Sequence, residues 1–422
     1  MRAVQKTVSS ILSGIGFLRR QPRDWNVTVA RSSSARFFYL LVLPYLSIYT
    51  ISLGATATQL GIVNTIGMGV AGLLSPLAGW LIDRTGTKTI YLGAIGLLAV
   101  AYLTYGVAQA WTIIIVAMIA YQLGFNISGN ACGVVCGNSL ASEDRATGMA
   151  FCETLAAGAL GFIAPMFGAL LVTNFGGVNT GGIRPLFFIG LVGTIGTFLL
   201  IFAKLPDYRW GGLGEAKHGL FKGISQVFQQ GHDLKRWLVI ASITSGLWMG
   251  MALPFTQVFA YEVKGANEYV LGAMVSGMAL TTLVFGIPLG KLADRIGRKK
   301  VLYLLAPLFW ASCLMLIWAP SPGFLIAAGM LQGFTQACMV ISAAMSFELA
   351  LAEQMGRWLG ILRFFRMLSA AGAAYLAGAI WDHVGPQYVF IAIIGIDALI
   401  RIPLLIGMPE TLGLSRRSEQ TK

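Results

Sequence analysis

Twelve stretches of the chain are apolar, near residues 37–54, 58–82, 89–108, 112–138, 147–172, 185–204, 237–261, 268–291, 301–319, 323–350, 358–380 and 387–408. Each is long enough to cross a hydrocarbon core of roughly 30 Å as a helix, which takes about 20 residues. A soluble protein keeps about a quarter of its residues charged to cover its surface. Here only 11% of 422 residues are charged and 56% are hydrophobic, so the chain belongs in lipid.

The connections between runs are patterned. Gly79-Trp80-Leu81-Ile82-Asp83-Arg84-Thr85-Gly86-Thr87-Lys88 closes the second run and opens the third, and the pattern returns at Gly290-Lys291-Leu292-Ala293-Asp294-Arg295-Ile296-Gly297-Arg298-Lys299. Three other landmarks repeat at nearly the same offset: Leu43-Pro44-Tyr45 with Leu253-Pro254-Phe255, Leu60-Gly61 with Leu271-Gly272, and Arg145-x-x-Gly148 with Arg357-x-x-Gly360. One ancestral half has been duplicated. The pattern G-x-L-x-D-R-x-G-x-K resembles the signature loop between the second and third membrane helices of the major facilitator superfamily, and the likeness runs from about residue 36 to 413. It implies an all-α membrane protein of twelve transmembrane helices in two pseudo-symmetric six-helix bundles, each of two inverted three-helix repeats, with a central site near the bilayer midplane.

Lys and Arg in short loops are retained on the cytoplasmic side. With twelve spans and the amino terminus inside, all of the 30 Lys and Arg except Arg184, Lys264 and Arg401 fall in cytoplasmic segments or at helix ends facing them. The formal charge of +13 is therefore read as topology, not nucleic-acid binding. This gives a cytoplasmic tail over 1–36, bundles over 37–204 and 237–408 joined by a cytoplasmic linker over 205–236, and a cytoplasmic tail over 409–422. The expected location is the plasma membrane. Cys132, Cys136, Cys152, Cys313 and Cys338 sit inside apolar runs with no disulfide or metal pattern around them, and no cofactor is expected.

Proline in a spanning helix frees a carbonyl and bends the rod, so Pro44 and Pro254 place bends in the first and seventh helices beside aromatic side chains. Gly129, Gly133 and Gly137 form a ridge of small residues on the fourth helix, where another helix could approach closely. In proton-coupled members of the resembled family an arginine precedes such a glycine by four positions; here that residue is Phe125, so an arginine-linked proton mechanism does not carry over. Gly158-x-x-Gly161-x-x-x-Pro165-x-x-Gly168 resembles the antiporter motif of the family's efflux branches, with Ala164 and Ala169 in place of two glycines. Pro409-Glu410-Thr411-Leu412-Gly413 resembles a sugar-porter signature of the kind that caps helices at the cytoplasmic face.

Asp83 and Asp294 end helices at the pole where a carboxylate opposes the helix dipole, so each calls for a partner. The family arrangement sets the second helix against the eleventh and the fifth against the eighth, so the free N–H groups at the starts of the eleventh and fifth helices would face these aspartates. A conformational latch follows, built from Gly79, Asp83, Arg84, Gly86, Lys88 and Arg357 on one side and Gly290, Asp294, Arg295, Gly297, Arg298 and Arg145 on the other. Gly86 and Gly297 would permit the tight turns.

An ionisable residue within a span is a functional candidate by default. Glu153 is the first choice for a proton-carrying carboxylate. Asp397 is the second, although Arg401, four residues on, can neutralise it. Glu348 could pair with Arg363 or Arg366. Lining residues expected for a substrate cavity are Tyr45, Tyr49, Asn126, Asn130, Trp248, Phe255, Gln257, Gln332 and Gln336. No nucleophile, His cluster or nucleotide loop points to an enzyme or a primary pump. The expectation is a secondary transporter working by alternating access, proton-coupled, exporting a lipophilic small molecule, with membrane lipid its other partner. Proton-coupled uptake of a sugar or organic acid, and a non-transporting receptor or structural protein on the same fold, stay open. Replacement of the latch carboxylate, Asp83→Asn, is expected to shift the balance of inward- and outward-open states, read by cysteine accessibility on either membrane face; an unchanged balance would remove the latch.

Overall fold

The computed structural model describes residues 20–140, 159–206, 232–349 and 355–411, with the backbone alone over 76–85 and 355–357 and at 130, 134, 137, 138, 159, 232, 340 and 347. The described residues form helices joined by short turns. α1 runs in two pieces, Arg23–Val42 and Leu46–Ser52, bent by 44° where Pro44 interrupts it. There follow α2 (Ala57–Thr85), α3 (Thr87–Val107), α4 (Trp111–Ser139), α5 (Ala159–Asn174) and α6 (Thr180–Lys204). The second half gives α7 (Asp233–Val263), α8 (Glu268–Ile296), α9 (Arg298–Trp318), α10 (Pro322–Leu349), α11 (Met355–His383) and α12 (Pro386–Ile406). Among the described residues ten helices are long and apolar enough to cross a membrane, or eleven with the bent pair; α5 is described only from Ala159.

α1 starts well before the first apolar run. Its added turns are held from inside: Thr28 Oγ1 donates to Asp24 O, and the Arg31 guanidinium lies over the Tyr91 ring at 4.9 Å. Hydropathy could not mark these turns because they carry charge and serine. In α7, Gly246–Ala252 is wound as a wider π turn just before Pro254, which absorbs the missing proline N–H without a sharp break.

The two halves meet along two helix pairs, α2 on α11 and α5 on α8. Small residues set the distance. A Cβ on Gly61 would stand 2.5 Å from Ala374 O, and one on Gly378 would stand 2.4 Å from Ala57 O. Across the other pair, a Cβ on Gly272 would meet Pro165 O at 2.8 Å. With backbones this close, hydroxyls reach carbonyls of the facing helix: Thr65 Oγ1 donates to Ala371 O at 2.7 Å and Ser276 Oγ to Phe162 O at 2.7 Å. The expected glycine ridge of α4 plays no such part here. A Cβ on Gly129 or Gly133 would meet nothing within 4 Å, and it is Gly124 that lets α4 approach Ala94 O of α3.

The basic residues that broke the charge bias have structural work. Arg184, at the start of α6, donates from Nη2 to Ala108 O at the end of α3. Lys264, just past α7, donates from Nζ to Ile317 O and Ala319 O at the end of α9. Each cation closes the carboxyl end of the third helix of its half, where free carbonyls and the dipole both favour positive charge. Replacing Gly378 by Val forces α11 away from α2; a destabilisation of about 1–3 kcal/mol is expected, read as a lower thermal midpoint, and an unchanged midpoint would mean the two halves are not held by this contact.

Candidate functional site

The seal between halves lies at the end remote from the Gly86 and Gly297 turns. Thr58 N donates to Asp382 Oδ2 at 2.7 Å and Thr58 Oγ1 to Gly378 O at 3.2 Å. Thr173 Oγ1 donates to Glu268 Oε1 at 2.8 Å, and the Tyr261 hydroxyl to Val178 O at 3.0 Å. Tyr45 and Tyr49 belong to this seal and are fully buried. The Tyr45 hydroxyl donates to Glu268 O, and that of Tyr49 to Tyr105 O, with Arg184 Nε on the Tyr49 oxygen at 3.4 Å. Bulky phenols satisfied at both ring and hydroxyl make a plug here, not the wall of an open cavity. A cleft of about 210 Å³, lined by Ile48, Ile51, Val178, Val258 and Glu262 among others, remains beside it.

Deeper in, the first half presents an aromatic face. Tyr39 of α1 stacks on Tyr121 of α4 with centroids 5.7 Å apart, and Tyr121 stacks on Phe125 at 6.1 Å. Tyr102 meets Tyr121 edge-on at 6.3 Å. Phe125 is 43% exposed and Tyr39 half-buried, while Tyr121 is buried, so the aromatic cluster is accessible at Phe125 and Tyr39. Tyr39, Tyr102 and Tyr121 were not among the expected lining residues. Their signal was present as Tyr121 and Phe125 four apart on one helix face, but only packing brings α1 and α3 to them.

The expected lining residues of the second half are brought together on α7 and α10. Trp248 packs edge-on against Phe309 at 6.2 Å, and Phe255 lies tilted against Trp381 at 5.7 Å. Gln332 Nε2 donates to Thr256 Oγ1 at 3.2 Å, while the buried Oε1 of Gln257 has no hydrogen-bond partner. Gln336 is half-buried. Asn126 is turned back on its own helix, donating to Gln122 O at 2.7 Å. The side chain of Asn130 lies outside the described residues.

At the other end, Gly86 and Gly297 turn the chain with φ of +92° and +107°, as the loop pattern requires. The second copy is knit to the end of the chain. Glu410 accepts the backbone N–H of Arg298 at 3.0 Å, and its carboxylate fills the place a Cβ on Gly297 would take. Lys299 Nζ holds Ile406 O and Met408 O. Arg298 joins Glu348 at 2.9 Å and Asp294 at 3.7 Å. Glu348 therefore pairs with Arg298 and not with Arg363 or Arg366, because α9 starts beside the end of α10. Asp294 and Arg295 are exposed, Gly290 is half-buried, and Lys88 lies over the Phe202 ring at 5.5 Å. Arg145 and Glu153, with the side chains of Gly79, Asp83, Arg84 and Arg357, lie outside the described residues.

Asp397 and Arg401 are buried on a π turn of α12 and form a two-point ion pair, Arg401 Nη2 lying 3.0 Å from Asp397 Oδ2. Trp310 Nε1 donates to the same oxygen at 2.7 Å. Both carboxylate oxygens are thus engaged.

A family model described as Major Facilitator Superfamily matches residues 32–269 and 238–420. The chain is 25% identical over 315 residues to the multidrug resistance protein MdtG of Dickeya zeae (strain Ech586), covering 67% of this chain and 69% of that one. It is 27% identical over 278 residues to the protein of that name from Salmonella typhi, covering 63% and 65%. It thus spans about two thirds of the length of these relatives. Among solved structures it resembles a D-xylose-proton symporter, with a TM-score of 0.73, 13% identity and 92% and 98% coverage. It also resembles the nucleoside transporter NupG, with a TM-score of 0.72, 11% identity and 92% and 100% coverage. These likenesses show a common fold. Since the family match spans both halves and the α2–α11 and α5–α8 pairs join them, the chain belongs to the major facilitator superfamily and is a multi-pass integral membrane protein of the secondary-transporter class.

Proposed function

We propose that the protein exports a lipophilic aromatic compound across the cell membrane by alternating access, driven by protons, with both termini in the cytoplasm. The observation that carries this reading is the Tyr39–Tyr121–Phe125 stack. Its accessible rings, Phe125 and Tyr39, suit a flat apolar solute, which gains both area burial and stacking geometry there. The glycines and proline of the efflux-like motif support it, since Gly161, Pro165 and Gly168 lie at the contacts of α5 with α8 and α1. So does the name multidrug resistance protein carried by the MdtG relatives.

Export needs a seal that opens outward and a second that opens inward. The hydroxyl contacts of Thr58, Thr173 and Tyr261 across the halves serve the first role. The Asp83 and Asp294 loops with Arg145 and Arg357 serve the second. For proton coupling Glu153 is the carrier we favour. Asp397 has both carboxylate oxygens engaged by Arg401 and Trp310, so it serves better as a structural tie between α12 and α9.

Two measurements test this. Thermal stability of the purified protein is expected to rise with aromatic lipophilic compounds and not with sugars or short organic acids, since a ligand selective for the folded state raises the midpoint by mass action. Tyr121→Ala is expected to weaken that binding about fivefold to tenfold. Stabilisation by a sugar alone would overturn the export reading. In liposomes carrying a pH gradient, Glu153→Gln is expected to abolish gradient-driven flux, and full retention of flux would remove Glu153 from proton coupling. Asp397→Asn is expected to lower stability by about 3–5 kcal/mol by stranding Arg401.

A further inference from the structure

α11 carries a cation in mid-span that no described carboxylate balances. Arg366 donates from Nε to Ser245 Oγ of α7 at 2.5 Å, and its Nη2 lies 3.6 Å from Met339 Sδ of α10. Both partners are neutral. The remaining nitrogen, Nη1, has no hydrogen-bond partner among the described residues. The ion pairs among the described residues join Arg298 to Asp294 and Glu348, and Arg401 to Asp397. Glu348, the carboxylate expected to pair with Arg363 or Arg366, is taken by Arg298.

The surroundings add positive charge. Arg363 stands one turn earlier on α11, within electrostatic reach of Arg366. In the first half Arg36 lies one turn before Tyr39 on α1, within reach of both Tyr39 and Tyr121, and its buried Nε has no partner. An arginine held at this depth without a counter-ion is costly, and such residues mark substrate pathways. A hydroxyl on Nε anchors the side chain. The outer edge of the guanidinium, the pair of nitrogens that grips a carboxylate in two-point fashion, is left with a thioether as its one described partner.

The depths agree. At 1.5 Å per residue, Arg366 lies about 25 Å along α11 from His383, and Tyr39 about 20 Å along α1 from Ser52, both measured from the sealed end. We propose that the compound carried is a lipophilic anion, its aromatic body lying on the Tyr39–Tyr121–Phe125 face and its carboxylate gripped by the free edge of Arg366. This rests on the aromatic-substrate reading above and adds to it the charge of the headgroup. Charge would be read in the second half and shape in the first. Movement of the halves would then make or break the two-point grip as access alternates.

The test uses three probes of one shape on the purified full-length protein at neutral pH: 1-naphthoate, its neutral amide 1-naphthamide, and 1-naphthylmethylamine. Wild-type protein is expected to bind the acid about tenfold or more tighter than the amide, and the amine weakest. Arg366→Gln is expected to bring the acid down to the affinity of the amide. Arg366→Lys keeps the charge without the fork and is expected to keep only part of the preference. Equal binding of acid and amide by the wild type would overturn the anion inference while leaving the aromatic reading in place, and needs no variant. An acid preference that survives Arg366→Gln would overturn the assignment to Arg366. Binding of none of the three would instead sink the aromatic reading itself.

Discussion

Inside hydrocarbon a backbone amide has no water to bond, and every other feature of this protein is built under that constraint. It forces helices, and then penalises each place where a helix ends or bends. The chain answers at several such places. Pro254 follows a π turn that takes up the missing donor, and Pro44 sits at an open bend between two pieces of α1. Helix ends are closed by long cations: Arg184 on the end of α3, Lys264 on the end of α9, and Lys299 with Arg236 on the end of α12. Charge in this protein serves the backbone as much as the solute.

The same constraint shapes the contact between halves. Two apolar helices in lipid gain little by burying greasy surface against each other, so they associate through close packing and hydroxyl–carbonyl bonds. Gly61, Gly272 and Gly378 bring the backbones near enough for Thr58, Thr65 and Ser276 to reach across. Such contacts are numerous and individually weak. That suits an interface which has to part and reform during a transport cycle, where a large hydrophobic seam would hold it shut.

Buried charges divide by what surrounds them. Asp397 and Arg401 satisfy each other with help from Trp310, and Arg298 gathers Glu348, Asp294 and the Glu410 cap at the end of the second half. These read as ties that fix one helix against another. Arg366 differs because a serine and a methionine are its partners. Neutral company around a cation in a membrane leaves room for a mobile anion.

Sequence alone determined that the chain spans the membrane many times as helices, that it consists of two related halves, and that Gly86 and Gly297 turn the chain. Run length, repeat offset and the need for a positive φ are local properties, legible without knowing what packs on what. Tertiary structure decided the rest. Tyr45 and Tyr49 share a helix face, as their spacing says, but only the approach of α8, α3 and α6 made that face a plug. Glu348 had two arginines in prospect on α11 and took a third from α9, because pairing follows distance in space and the sequence separation carries no such information. Gly129 and Gly133 looked like part of a packing ridge and meet nothing, while Tyr39 and Tyr102 joined Tyr121 from helices far away in the chain. A side chain's type limits what it can do; its neighbours, brought by packing, choose among those uses.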